Sequence, residues 1–214
     1  MSTLRTITGF KERLAGGGAR PNLFEVEIPS FPAAATEFWG TETGAEAETF
    51  KFLCKTAALP ASNVSPIDIP FRGRILKVAG DRTFDVWTVT VINDEDFKLR
   101  TAFELWMNSI SKLDNATGAT NPSSYMTDAY VHQLGRGAGT KNSTTNSSRA
   151  NGDTIKPLRS YRFYDIFPTN VGAIDLSYDS SDAIEEYTVE FQVQYWTAGK
   201  GSDGSNDETA VEIS

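Results

Sequence analysis

The segment Tyr187–Trp196 constrains this chain more than any other. Tyr187, Val189, Phe191, Val193 and Tyr195 fall on one parity; Thr188, Glu190, Gln192 and Gln194 fall on the other. Strict alternation of that length describes a strand with one buried and one polar face. A helix would scatter the same apolar residues around its circumference. A chain built on such a strand needs a second apolar layer to cover it, and it must deal with its sheet edges.

Other segments repeat the signal. Phe24, Val26 and Ile28 alternate with Glu25 and Glu27, and Phe50, Phe52 and Cys54 alternate with Lys51, Leu53 and Lys55. Thr83–Ile92 sets Phe84, Val86, Thr88 and Thr90 against Asp85, Trp87, Val89 and Val91, which predicts a strand buried on both faces over much of its length. Tyr125–Leu134 places Tyr130 and His132 opposite Ala129 and Val131. Tyr161–Phe167 is an aromatic strand bounded by Pro157 and Pro168, and Ile174, Leu176 and Tyr178 predict a short one.

One segment changes period. Leu99, Phe103, Trp106, Ile110 and Leu113 form an apolar helical stripe, predicting a helix over about 94–113. Asn93 is its expected N-cap, with Asp94, Glu95 and Asp96 in the first turn and Lys112 in the last. The expected fold is mainly β, one domain over 1–214, with one flanking α-helix. Long loops are expected at 29–49 and 135–157, an N-terminal arm at 1–21 and a loose C-terminal extension at 197–214.

Composition removes whole classes of function. The 214 residues hold 20 Lys and Arg against 28 Asp and Glu, a net charge of −8, which disfavours phosphate-driven nucleic-acid binding. A single cysteine, Cys54, excludes an intrachain disulfide, and with a single histidine, His132, it cannot build a structural Cys/His zinc site. No run of eighteen apolar residues predicts a membrane span or anchor, and Met1–Phe10 lacks the apolar core of a secretion signal. A Ser-His-Asp triad or a Cys54–His132 pair would rest on one mid-strand histidine, which is better read as structural. The run Gly135–Lys141 is not a phosphate loop, because Thr140 separates Gly139 from Lys141. The carboxylate pairs Asp94/Asp96 and Glu185/Glu186 read as a helix cap and a solvated strand start. The expectation is therefore a non-enzyme with no catalytic, metal-binding or cofactor-binding residues. Basic residues cluster at Arg72, Arg74, Lys77 and Arg82, and again at Arg136, Lys141, Arg149, Lys156 and Arg159. Their expected partners are the chain's own acidic excess or an acidic neighbouring subunit, with nucleic acid ranked third because the whole-chain field is negative.

Several blocks, in order, carry a family resemblance. They are Ala19–Ile28 (ARPNLFEVEI), Phe52–Pro60 (FLCKTAALP), Val78–Val91 (VAGDRTFDVWTVTV), Asn93–Asp96 (NDED), Phe167–Tyr178 (FPTNVGAIDLSY) and Ile184–Trp196. Together they resemble the tail tube proteins of contractile-tailed bacteriophages of the T-even type. The resemblance implies a tube-protein β-sandwich or barrel with a flanking helix. Six copies would form a ring, and stacked rings would form the tail's inner tube, conducting DNA into the host after sheath contraction. Implied partners are the chain itself, the tail sheath protein, and the baseplate hub and tail terminator proteins. DNA would pass through the lumen without specific binding. The implied location is the virion tail, assembled in the host cytoplasm. A tube of a type VI secretion system or contractile bacteriocin is the nearest alternative reading. A carbohydrate-binding sandwich using Trp39 or Trp87 is a more distant one.

The block matching the family and opening the central strand marks Gly80, Asp81, Arg82, Thr83 and Phe84 as subunit-interface candidates. Gly80 is expected to supply a turn, and Asp81 with Arg82 an ion pair within or between subunits. Arg72 and Arg74 join them from the basic cluster, and Arg20, Pro21 and Asn22 are expected to orient the N-terminal arm. Thr188, Glu190, Gln192 and Gln194 are candidates for the lumen or the outer wall.

Overall fold

The computed structural model describes residues 7, 9–10, 18–36, 45–135, 157–179 and 182–200. In chain order their elements are β1 (Phe24–Glu27), α1 (Ala33–Thr36), α2 (Ala45–Leu53), β2 (Cys54–Ala57), β3 (Ser62–Phe71), β4 (Arg74–Phe84), β5 (Trp87–Ile92) and α3 (Lys98–Ile110). A 3-10 turn (Pro122–Ser124), β6 (Thr127–Leu134), β7 (Pro157–Val171), β8 (Glu186–Gln192) and β9 (Tyr195–Lys200) follow. The chain divides into two compact units: residues 26–131 with 161–197, and residues 1–25, 132–160 and 198–214.

The mainly β expectation is borne out. A seven-stranded sheet runs in the order β1-β6-β7-β8-β5-β2, with β9 also paired to β7. The order is open-ended among the described residues, so no closed barrel forms within one chain. Strands β3 and β4 stand apart as a two-stranded sheet.

The larger unit has an aromatic core. On β5, Trp87, Val89 and Val91 are buried; on β8, Tyr187, Val189 and Phe191 are buried opposite them. Helix α3 turns Leu99, Ala102, Phe103 and Trp106 inward. The Phe103 and Trp106 rings lie 5.8 and 6.1 Å from that of Phe191. Phe31 closes the group, 5.7 Å from Trp106 and 6.2 Å from Phe50. The Trp106 indole N–H, fully buried, donates to the Tyr125 carbonyl at 2.7 Å, so the ring's one polar atom is satisfied.

Several sequence expectations are corrected. Phe50 and Cys54 are buried, but Phe52 is exposed, because Ala45–Leu53 is a helix. On a helix, residues two apart point to nearly opposite sides, which turns Phe52 away from Phe50; the helix ends at Leu53, and Cys54 opens β2. That helix and α1 also occupy much of the expected loop 29–49, whose residues 37–44 lie outside the described ones. The run Thr83–Ile92 breaks at Asp85–Val86, and β5 is buried on one face only. Helix α3 starts later than expected. Its N-cap is Phe97 at φ 54, with no side-chain cap; Asn93 instead donates to the Glu185 carboxylate at 2.9 Å, and Leu113 is exposed beyond the helix. Ile174, Leu176 and Tyr178 form no strand; they belong to the loop between β7 and β8. Strand β7 runs through both prolines. Its buried residues are Phe163, Ile166 and Pro168, because Asp165 at φ 52 shifts the alternation by one. The strand predicted to Trp196 ends at Gln192, and Tyr195 begins β9, half-exposed, outside the buried row. Most of 1–21 and 135–157, and the extension beyond Lys200, lie outside the described residues.

Candidate assembly interface

Strands β3 and β4 form a long antiparallel hairpin, paired from Ser62↔Phe84 to Phe71↔Arg74. The two residues between, Arg72 and Gly73, have φ 45 and 82. Positive φ at both central positions is the mirror-image turn whose twist matches that of paired strands. Glycine takes this conformation without strain; arginine at the other position bears the Cβ cost.

Cross-strand partners share a face, and this sorts the hairpin's side chains. One face carries Ile67 with Val78, Ile69 with Leu76, and Phe71 with Arg74. The other carries Pro66 with Ala79, Asp68 with Lys77, and Pro70 with Ile75. Asp68 and Lys77 form an ion pair at 3.0 Å on that second face. Among the described residues none covers the first: Ile67, Ile69, Phe71, Leu76 and Val78 are 44% to 66% exposed. At the tip the Arg72 guanidinium lies over the Phe71 ring, 5.5 Å from its centre.

The base of the hairpin is anchored. The Phe84 ring meets Trp196 edge-on at 6.4 Å, and the Trp196 indole donates to the Ala61 carbonyl at 3.3 Å. The Trp87 indole donates to the Ala58 carbonyl at 3.0 Å, and Asn63 donates to the Asp85 carboxylate at 3.0 and 3.1 Å. An exposed two-stranded arm is thus fixed to a packed sheet at one end only.

Arg72, Arg74, Gly80, Asp81, Arg82, Thr83 and Phe84 all lie on this hairpin. The role expected of Gly80 is corrected. It makes no turn; it lies inside β4, next to the irregularity at Val64–Pro66. A Cβ there would sit 2.6 Å from the Ser65 carbonyl oxygen and 3.0 Å from the Ile67 side chain. The glycine admits a close backbone approach, and Gly73 supplies the turn. Asp81 and Arg82 occupy consecutive positions of one strand, so their side chains point to opposite faces and do not pair within the chain.

Arg20, Pro21 and Asn22 belong to the smaller unit. They form a turn closed by the Leu23 N–H donating to the Arg20 carbonyl at 3.2 Å. The Gln133 side-chain amide donates to the carbonyls of Arg20 and Leu23, at 2.8 and 2.7 Å. In that unit His132 Nδ1 lies 2.8 Å from the Ser160 hydroxyl, on the half-buried face of β6.

Thr188, Glu190 and Gln192 share the polar face of β8, turned away from α3. Gln194 falls past the end of that strand, where its N–H donates to the Tyr164 carbonyl at 3.3 Å. Sequence reasoning missed two neighbours on the same face: Thr88 and Thr90 pair with Glu190 and Thr188. Their signal was the alternation with Trp87, Val89 and Val91. The hairpin itself was missed because Pro66 and Pro70 interrupt the strand pattern, although Arg72-Gly73 between apolar runs is a turn signal.

Cys54 is buried, and burial pushes its thiol up to about 12, away from a reactive thiolate. No group of three or more His, Cys, Asp or Glu is arranged to hold a metal ion among the described residues. No helix there is long and apolar enough to cross a membrane.

The phage tail tube protein family matches residues 19–199, spanning the hairpin, α3 and the whole sheet. The chain belongs to that family. Over 182 residues it is 36% identical to the tail tube protein gp19 of Enterobacteria phage T4, covering 85% of this chain and 93% of that one. A tail tube protein of Serratia phage KSP90 is 24% identical over 194 residues, 90% of this chain and 94% of the relative. Among solved structures, a component of the anti-feeding prophage baseplate shares the fold with a TM-score of 0.54 at 10% identity, over 87% of this chain and 98% of that one. As a tail tube protein of a contractile-tailed phage, the chain is a structural component of the virion tail.

Proposed function

We propose that this chain is the repeating subunit of a tail's inner tube, and that the β3–β4 hairpin is its principal assembly arm. One observation carries the reading: the hairpin exposes a row of large apolar side chains on a two-stranded sheet that none of the other described residues covers. Two strands alone are marginally stable in water, and an exposed apolar strand face is a template for association. A neighbouring copy resolves both problems. Copies join head to tail into hexameric rings, and rings stack into a hollow tube, since a heterologous contact that closes gives a ring and one that does not gives a filament.

Arg72, Arg74, Gly80, Asp81, Arg82, Thr83 and Phe84 act from the hairpin in these contacts, and Arg20, Pro21 and Asn22 position the N-terminal arm. Residues 1–214 work as one tail-tube domain, with arm 1–21 and extension 197–214. The β8 face with Thr188, Glu190 and Gln192, joined by Thr88 and Thr90 of β5, lines the lumen, with Gln194 at its end. A threonine- and carboxylate-bearing wall on a chain of net charge −8 repels phosphate, so DNA slides without being held. The tail sheath surrounds the tube, the baseplate hub and tail terminator cap its ends, and the subunit catalyses no reaction. The 36% identity to a phage tail tube protein favours DNA over secreted effectors as the cargo.

The double variant Ile69→Lys/Leu76→Glu tests the arm, with opposite charges at a cross-strand pair. Both positions are exposed in the single chain, so its thermal unfolding is expected to stay within roughly 0.5 kcal/mol of the parent. Tubes seen by negative-stain electron microscopy should disappear. Normal tubes from this variant would refute the assigned role.

A further inference from the structure

We infer that the tip Phe71–Ile75 of one copy seats in the β7–β8 loop, around Ala173–Asp179 and Asp182–Glu186, of a second copy. This inference rests on the assembly reading above and names the surface that the arm meets.

Three observations bring the two together. The first is shape. The loop borders an open surface depression of about 600 Å³ lined by Ile174, Leu176, Tyr178 and Ile184, with Asp175 and Glu185 beside them. Clefts of ~300–1,000 Å³ take groups the size of a small ligand. The tip presents such a group, because the Phe71 ring and the Arg72 guanidinium are held together at 5.5 Å.

The second is unmet apolar burial. Leu176, Tyr178 and Ile184 are 79%, 108% and 71% exposed, although they lie between two well-packed strands. Phe71 and Ile75, at 66% and 62%, are in the same condition at the tip. Aromatic and arginine side chains seated in a desolvated pocket are the groups that dominate protein interfaces.

The third is charge. Between residues 173 and 186 the chain holds Asp175, Asp179, Asp182, Glu185 and Glu186, and no Lys or Arg. Glu186 is engaged by Lys55, and Glu185 accepts from Asn93. Asp175, on the depression's lining, and Asp179 and Asp182, in the same loop, are exposed. On the hairpin, Asp68 is matched by Lys77, which leaves Arg72, Arg74 and Arg82 against Asp81 alone. A cationic tip thus faces an anionic receptor. Arginine with a carboxylate is the pairing whose geometry fixes orientation as well as attraction. The two patches differ, so each copy gives one tip and accepts another, and the contact propagates.

Charge exchange tests the pairing. Arg72→Glu/Arg74→Glu and, separately, Asp175→Lys/Asp179→Lys should each lower the pelletable tube fraction by about tenfold, since like charges then face one another. Combining the four substitutions should restore tubes to near the parent yield. If the arginine pair matters but the aspartate pair leaves the yield unchanged, the receptor is overturned and the hairpin reading stands. If the arginine pair is also neutral, both fall. A combination that stays unassembled overturns the pairing.

Covalent trapping gives an independent readout. In Phe71→Cys/Leu176→Cys tubes, mild oxidation should yield a ladder of multimers on a non-reducing gel, absent from either single variant. Buried Cys54 does not compete. Oxidised tubes without a ladder overturn the inference; if this variant forms no tubes, the charge exchange decides alone.

Discussion

Cys54 shows how one residue's surroundings set its chemistry. Its thiol packs at the junction of α2 and β2, and its S–H reaches the Thr56 carbonyl at 3.6 Å. Burial disfavours the thiolate, raising the ionisation from 9.0 to about 12. The folded state therefore holds its proton where the unfolded chain has lost it. Stability from this group is complete below pH 9 and is lost as pH rises towards 12. Urea unfolding between those values should show a falling midpoint, with a shallower slope in Cys54→Ala. At pH 8 the native thiol should resist maleimide and become reactive only on unfolding. Gly80 makes the complementary point at the same scale. Its residue type was legible, but its reason was not: the constraint is the Ser65 carbonyl 2.6 Å from where a Cβ would be, and that oxygen belongs to the partner strand.

At the scale of elements, period alone separated helix from strand only where the run was long. The stripe Leu99, Phe103, Trp106 identified α3, and three of its expected positions are buried. Phe50, Phe52 and Cys54 read as a strand because three alternating apolar residues are too short a run to separate the two periods; Phe50 packs against Phe31 and Phe103 from a helix that ends at Leu53, and Cys54 already opens β2. The start of α3 was displaced for a similar reason. Asn93 could cap a helix, but it is drawn into a bond with Glu185, so the helix begins after Phe97 in a left-handed conformation. A non-glycine residue there costs about 1–2 kcal/mol. Phe97, partly exposed at 44%, gives up little packing when replaced. Phe97→Gly should therefore stabilise the protein by up to about 1 kcal/mol, read as a rise in the thermal midpoint. A fall would show that the phenyl ring contributes more than the strain costs.

For the whole molecule, stability and assembly are carried by different parts. The aromatic core under α3 holds the larger unit together, whereas the hairpin is a separate sheet whose apolar face lies open. Local stability follows local burial, so β3 and β4 amides should exchange with solvent much faster than those of β5 and β8 in the free subunit. In assembled tubes the same hairpin amides should become protected. Hydrogen exchange followed by mass spectrometry measures both states, and equal hairpin protection before and after assembly would contradict the division.

The sequence by itself determined the mainly β class, the single strong amphipathic helix, the absence of disulfide and Cys/His zinc chemistry, and the family. These follow from local period, residue counts and ordered blocks, which need no knowledge of what lies beside what. Only the tertiary structure decided that the residues from Arg72 to Phe84 lie on one projecting arm, that β5 buries a single face, and that Leu176, Tyr178 and Ile184 line an open surface depression. The physical reason is that burial belongs to neighbours distant in sequence. A valine that alternates correctly is written the same way whether its own core covers it, as with Val89, or it stays exposed on the arm, as with Val78.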